Sequence, residues 1–321
     1  MTVTNDADTE CVIALDVGGT DIKGAVVGSD YKIISRLRRK TDASHGTKAV
    51  LGSMLQALDE LRSNAQADGL TVRAAGCSVT GIVNEAEGIA IHSENVGWDN
   101  IDLRSIISKE IGLPTGLGHD VRAGGLAESR LGAGRPFTDF IFVAVGTGVS
   151  SAIIVNSQVV IGGGYAGEIG HVHAGLGVAC KCGGHGCVEA VASAASIARI
   201  YSERSGTTVP GAKEVADRMV AGDELAREIW MQAVNALSVA LGWATGVLGP
   251  QAIVIGGGLV RSGDLLLDPL RVALAEKLPV HPMPLLLPAQ FADEAGCLGS
   301  ALIAWGASLA DDMSNAPDGL R

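Results

Sequence analysis

One pattern occurs twice in this chain, far apart, and it limits the fold more than any other feature. Residues 11–40, CVIALDVGGTDIKGAVVGSDYKIISRLRRK, read as an apolar strand, a Gly-rich turn at Gly18–Gly19–Thr20, a second strand, a Gly-Ser-Asp turn and a third, alternating strand. Residues 140–164, FIFVAVGTGVSSAIIVNSQVVIGGG, repeat that order around Gly146–Thr147–Gly148. A supersecondary unit repeated on a long period predicts two similar lobes, and two lobes facing each other across a cleft is the simplest architecture with that property. Hairpin turns this short cannot carry parallel crossovers, so the strand directions must be mixed within an α/β pattern. A chain of 321 residues is long enough for two such lobes.

Helices are expected between and after the two units. Val50, Leu51, Met54, Leu55, Leu58 and Leu61 recur at helical spacing within residues 49–64. A strand near residues 74–79, a loop-rich stretch up to Trp98, a short helix near 103–111 and a helix beginning around Val121 follow. Beyond the second unit the spacing predicts a helix-rich region to Leu248, a strand at 252–255, a helix at 265–277 and a last apolar helix near 299–309. Residues 229–260 carry no charge, which raises the question of a membrane span. Gln232, Asn235, Ser238, the Gly249–Pro250 break and the following Gly run favour a buried helix and strand instead. The polar start MTVTNDADTE lacks the basic and apolar regions of a secretory signal, so a cytoplasmic location is expected. The polar end, DDMSNAPDGLR, is expected to fray. With 24 Lys+Arg against 35 Asp+Glu the net charge is −11, which disfavours nucleic acid and anionic lipid as partners.

Three groups of residues carry chemistry. A strand that ends in Gly-Gly-Thr and turns back exposes several backbone N–H groups, with φ > 0 open to glycine, and Thr20 adds a hydroxyl. Such turns suit phosphate oxygens, and Gly256–Gly257–Gly258 follows a third apolar strand. A plain tight hairpin is the alternative for any one of them. Asp16 directly precedes the first turn; a carboxylate beside phosphate needs a cation between them, which suggests Mg²⁺ held through water. In CKCGGHGCVE, Cys180, Cys182 and Cys187 offer three corners of a tetrahedral zinc site, and His171, His173 or His185 could supply the fourth. Four protein ligands would make that zinc structural. Asp120 begins a predicted helix and reads either as an N-cap or as a general base. Glu168 and Glu189 flank the Cys loop and would need hydroxyl donors if buried.

Taken together these segments resemble the ROK family of repressors, uncharacterised reading frames and sugar kinases. LDVGGTDIKG resembles its first phosphate loop, GHDVRAGGLAE the segment with its catalytic Asp, VGTGVSSAIIV its second phosphate loop, and VIGGG its adenosine loop. GEIGHVHAG with CKCGGHGCVE resembles its most specific signature, in which one His and three Cys hold zinc. The resemblance implies an α/β, actin-like ATPase (ribonuclease H-like) fold with two lobes around a central cleft. The expected division is a small lobe of residues 1–121 plus about 299–321 and a large lobe of 122–298. It implies an ATP-dependent kinase that phosphorylates a hexose, first of all glucose at O6, with Asp120 as base, structural zinc on His171, Cys180, Cys182 and Cys187, and Mg²⁺ near Asp16. N-acetylmannosamine, mannose or fructose as substrate, or a non-catalytic sugar sensor, are the alternatives. Gly81, Asn95, His119, Asp120, Glu168, His171 and Glu189 would meet the sugar. Gly18, Gly19, Thr20, Gly146, Thr147, Gly148, Gly256, Gly257 and Gly258 would meet ATP. A homodimer or homotetramer is the family habit. The chain departs from the pattern at His119, where Asn is usual, at Ser150 and Ser151, where glycines are common, and at Gly124 and Gly125, which replace alanines.

Overall fold

β1 (Glu10–Val17) is the first apolar run, and residues Cys11 to Leu15 are fully buried. The computed structural model describes residues 9–175 and 177–314. β1 shows no alternation because it lies in the middle of a sheet packed on both faces. β2 (Asp21–Gly28) pairs with it antiparallel across the Gly18–Thr20 turn, in a register that sets Lys23 opposite Asp16. β3 (Ile33–Lys40) is the outer strand, and its residues alternate between half-buried and exposed. The exposed arginines and lysine there keep an edge strand from pairing with another chain. α1 (Thr47–Ala67) buries Val50, Met54, Ala57, Leu58, Leu61 and Ala65, one stripe at helical spacing, against the β1 face that carries Ile13, Leu15 and Val17.

β4 (Thr71–Val79) joins β1 in parallel. The segment read as loop-rich is instead a three-stranded antiparallel sheet of β5 (Ile82–Asn84), β6 (Ile89–Ser93) and β7 (Trp98–Asp102). Strands of three to five residues separated by turn residues leave little periodicity to read. α2 (Leu103–Ile111) starts on Asp102, whose side chain accepts the Ser105 N–H, and ends on Gly112 in the left-handed region. β8 (Thr115–His119) adds to β4 in parallel and delivers α3 (Asp120–Arg130).

The second repeat gives β9 (Phe140–Val145), β10 (Val149–Val155) and β11 (Gln158–Val159). Helices α4 (Glu189–Ala192), α5 (Ala194–Ser205), α6 (Ala212–Val220) and α7 (Glu224–Leu248) follow, then β12 (Ala252–Gly256), α8 (Asp264–Ala275) and β13 (Leu285–Pro288). The first sheet runs β3-β2-β1-β4-β8 and the second β11-β10-β9-β12-β13. In both, the first two pairings are antiparallel and the last two parallel. The repeat legible in two hairpins therefore extends to two five-stranded sheets.

Two units result. One is Met1–Ala127 with Ile161–Tyr165 and Glu294–Arg321; the other is Glu128–Val160 with Ala166–Asp293. The chain returns to the first unit as α9 (Ala295–Ser314), which lies on β1, β4 and β8. Of the helices in the described residues, α7 alone is long and apolar enough to cross a bilayer by length and composition. Its Ile229, Trp230, Val234, Leu237 and Leu241 are buried in the core of the second unit, as the uncharged stretch predicted. Of the polar ends, residues 1–8 and 315–321 lie outside the described residues, while Asp311, Asp312 and Met313 continue α9.

Candidate functional site

In the first unit the chemistry gathers at the ends of β1 and β8. Asp16 is the last polar residue of β1. Its Oδ1 lies 3.5 Å from the Ser78 hydroxyl, which Ser300 of α9 contacts at 2.9 Å, and both serines are fully buried. Ser300 also donates to the Leu15 carbonyl at 2.8 Å. Gly296 stands where any Cβ would strike the Asp16 carboxyl, so the first turn of α9 comes close only because that residue is glycine. Lys23 Nζ is 3.7 Å from Asp16 Oδ2. Burial, and then the nearby charge of Asp120, push the Asp16 carboxyl up to about 6, against the opposing pull of Lys23 and Ser78.

Asp120 opens α3 with Oδ1 accepting the Val121 N–H at 2.7 Å, a bond to the next residue rather than the usual N-cap bond two or three residues on. His119, 4% exposed, places Nε2 3.3 Å from the same oxygen. Burial pushes the Asp120 carboxyl up to about 6; the Val121 N–H, Arg122 and Lys23 hold it from rising further. Asn95 approaches the first Gly turn, since a Cβ on Gly19 would lie 3.3 Å from its Cβ. Gly81 has φ 107° and its backbone rests against His92 and Ser93, so no side chain fits there.

In the second unit Glu189 reaches the second Gly turn: its Oε2 accepts the Val149 N–H at 2.8 Å, and a Cβ on Gly148 would lie 2.5 Å from that oxygen. Gly257, with φ 80°, folds against the backbone of Val145, so the triple-Gly run and the turn at Gly146 come together. Among Gly18, Gly19, Gly146, Gly148, Gly256, Gly257 and Gly258, only Gly257 has positive φ. The expected left-handed conformations are therefore not what these turns use; at Gly148 the glycine makes room for a carboxylate. Beside Thr147 a cavity of about 440 Å³ is lined by Ala194, Ala198, Arg199, Val209 and Gly211.

Gly167 and Gly170 of the GEIGH segment press their backbones onto the Ser151 and Val149 carbonyls of β10. Ser151 N–H and hydroxyl both bond the Gly167 carbonyl, at 2.7 and 3.0 Å, which gives the departure from glycine at that position a structural use. This docking carries Glu168 and His171. One ligand atom from each of His171, Cys180, Cys182 and Cys187 lies within 4.8 Å of all the others. Cys182 and Cys187 sulfurs are 3.7 Å apart, close to the edge of about 3.8 Å that a tetrahedron with Zn–S of about 2.3 Å requires. His171 Nδ1 faces the Cys180 sulfur at 3.9 Å, while its Nε2 lies 4.0 Å from Glu168 Oε2. Three thiols and an imidazole at this spacing fit zinc. Of the two other candidates for the fourth corner, His173 Nδ1 accepts the Gly175 N–H, and neither His173 nor His185 belongs to the cluster.

Asp16, Gly18–Thr20, Gly81, Asn95, His119 and Asp120 thus belong to the first unit. Gly146–Gly148, Gly256–Gly258, Glu168, Glu189 and the metal-ligand cluster belong to the second. Reading the sequence missed Lys23, Ser78, Ser300, Glu85 and Arg122. Lys23 was within reach, because counting back from the Gly-Gly-Thr turn sets it opposite Asp16; the others come from strands and helices distant in the chain.

The sequence matches the ROK family over residues 12–307. It is 31% identical over 277 residues to the glucokinase of Halalkalibacterium halodurans, covering 81% of this chain and 83% of that one. It is 32% identical over 302 residues to the N-acetylmannosamine kinase of Escherichia coli, covering 92% and 99%. The crystal structure of a ROK family glucokinase from Streptomyces griseus in complex with glucose and AMPPNP superposes with a TM-score of 0.81 at 26% identity, covering 92% and 99%. The two sheets of one strand order and these similarities make this an actin-like ATPase (ribonuclease H-like) fold. From the signature segments to the strand order, the chain belongs to the ROK family.

Proposed function

We propose that this chain is an ATP-dependent sugar kinase that transfers a phosphoryl group to a hexose, with glucose at O6 the first candidate and N-acetylmannosamine the second. The observation that carries this reading is the carboxyl of Asp120, seated at the head of α3 and pushed up to about 6 by burial. A base should titrate near the pH at which it works, and burial raises this carboxyl toward that range. Relatives named glucokinase and N-acetylmannosamine kinase, both close to 30% identical, and a structural relative solved with glucose and an ATP analogue support the substrate class.

In the first unit, Asp120 accepts the proton of the attacking hydroxyl, and Gly81, Asn95 and His119 contact the sugar. The turn at Gly18–Thr20 takes phosphate oxygens, with Lys23 supplying positive charge beside Asp16. Mg²⁺, when bound, neutralises phosphate charge, and Asp16 would hold it through water; a buried carboxyl held well above its usual range is one that a cation would ionise. In the second unit, the turn at Gly146–Gly148 takes phosphate, and the cavity beside Thr147, with Gly256–Gly258, takes the adenosine. Glu168, His171 and Glu189 contact sugar hydroxyls, and by fixing the ring they hold one hydroxyl in line for attack. Zn²⁺, when bound by His171, Cys180, Cys182 and Cys187, supplies a structural cross-link that holds their loop.

The test is a panel of hexoses with ATP and Mg²⁺, followed by ADP release and by identification of the sugar phosphate. One or more hexoses should be phosphorylated at a single hydroxyl. Asp120→Asn should lower kcat by about 10²–10⁴, the usual contribution of a positioned base. Sugar binding without phosphorylation of any hexose, or near-normal turnover by that variant, would refute the proposal.

A further inference from the structure

We propose that Arg122, paired with Glu85, is a positioning residue for Asp120, acting through the backbone of His119. The inference rests on the reading of Asp120 as the base. Arg122 lies two residues beyond Asp120 in the first turn of α3, and its side chain is 2% exposed. A guanidinium taken so far out of water persists only where it is paired and hydrogen-bonded. Its Nε donates to Glu85 Oε1 at 2.7 Å, Nη1 to the Gly164 carbonyl at 3.1 Å and Nη2 to the Val83 carbonyl at 3.4 Å. The same Glu85 oxygen accepts the His119 N–H at 3.1 Å. Arg122 and Glu85 therefore grip the backbone on both sides of Asp120.

The grip reaches the carboxyl through the backbone that carries it. The Arg122 backbone N–H, which any residue there would supply, donates to His119 Nδ1 at 3.4 Å. The ring's Nε2 lies 3.3 Å from Asp120 Oδ1. The same oxygen accepts the Val121 N–H. The carbonyls gripped by Arg122 belong to β5, which follows Gly81, and to residues 161–165, which lead into Gly167 and Glu168. Gly164, with φ 96°, has its backbone against the Val83 carbonyl, so no other residue fits between them. One side chain thus ties the base to the backbone on the sugar side of the first unit.

A purely structural ion pair would give the same burial, so the test must read charge as well as folding. The groups facing Asp120 are Asp16 on β1, Lys23 on β2, His119 on β8 and Arg122 on its own helix. Of these, Arg122 and Lys23 favour its ionised form. Arg122→Met should lower kcat about 10- to 100-fold, as misplacement of a reacting group does, with KM for ATP within about twofold. It should also move the acid limb of the kcat/KM profile for the sugar to higher pH by roughly half a unit or more, because a cation that stabilised the carboxylate is gone. Arg122→Lys keeps the charge, so it should restore the position of the limb while recovering only part of kcat. Glu85→Gln keeps the acceptor oxygen and the guanidinium and should not move the limb upward. If Arg122→Met does not fold, the Lys and Gln variants carry the test: a limb displaced upward in either overturns the proposal. A folded Arg122→Met enzyme with its limb unmoved, or with loss explained by melting temperature alone, also overturns it. Asp120→Asn is the separate control. If that variant stays active the base assignment fails; if it is dead while Arg122→Met behaves as wild type, only the positioning role fails.

Discussion

As the proposed base, Asp120 would combine a cost to the fold with a use in the reaction. Its carboxyl, about a quarter exposed at 26%, is held near 6 against an ordinary value of 3.8. A carboxyl raised in the folded state stabilises the fold only while it is protonated. That contribution is complete below about pH 4 and is lost as pH rises through about 6. At pH 8 the ionised carboxylate is therefore a net cost, and replacing it with a neutral isostere should relieve it. Asp120→Asn, measured by chemical denaturation without nucleotide or metal, should be more stable than wild type at pH 8 by about 1–3 kcal/mol and no more stable at pH 4. An Asn variant of equal stability at both pH values would show that burial does not tax this group. A residue that stabilises the protein when removed while disabling its chemistry is the pattern expected of a site kept for function.

At the scale of elements, the GEIGH segment and the Cys loop, residues 167–175 and 177–189, are docked on β10 by Gly167 and Gly170 and bring together the side chains of His171, Cys180, Cys182 and Cys187. Ile169 and Val188 anchor the two ends of the piece in the core of the second unit, and the loop between them carries the thiols that a bound zinc would tie together. The purified protein should contain about one zinc per chain, and Cys182→Ser or a strong chelator should speed amide exchange across 167–189 while the β-sheet cores stay protected. A chelated protein with unchanged exchange there would remove zinc from the account. How legible each element was follows from its physics. β1, β9 and β12 are apolar runs ending in glycine, and α1 and α7 are long enough to show a periodicity, so these could be read. β5, β6 and β7 are too short for alternation to emerge, and β13 is the leucine run in HPMPLLLPAQ, hemmed by prolines. The Cys loop was legible because three of its four clustered side chains lie close together in the sequence. The Glu85–Arg122 pair was not, because its partners lie far apart in the chain and Glu85 belongs to no recognisable pattern.

Across the whole molecule the same five-stranded sheet is built twice and then equipped differently. At the end of β1 stands Asp16, two residues before the first Gly turn; at the matching place before the second turn stands Ala144. His119 ends the last strand of the first sheet and Asp120 follows it, while Pro288 ends the last strand of the second. Asp16 and Asp120 belong to one copy, and the cavity beside Thr147 belongs to the other. The return of α9 to the first sheet has its own consequence. Its Ser300 and Gly296 complete the surroundings of Asp16, yet they are made only after the whole second unit. The first sheet to be synthesised must therefore wait, uncovered on one face, while the whole second unit is made. Nascent chains stalled before residue 295 should be cleaved readily by protease in residues 10–119 and protected in 140–288, reversing the order in which they were born. Protection of the early segment in those chains would mean that the final helix is dispensable to it.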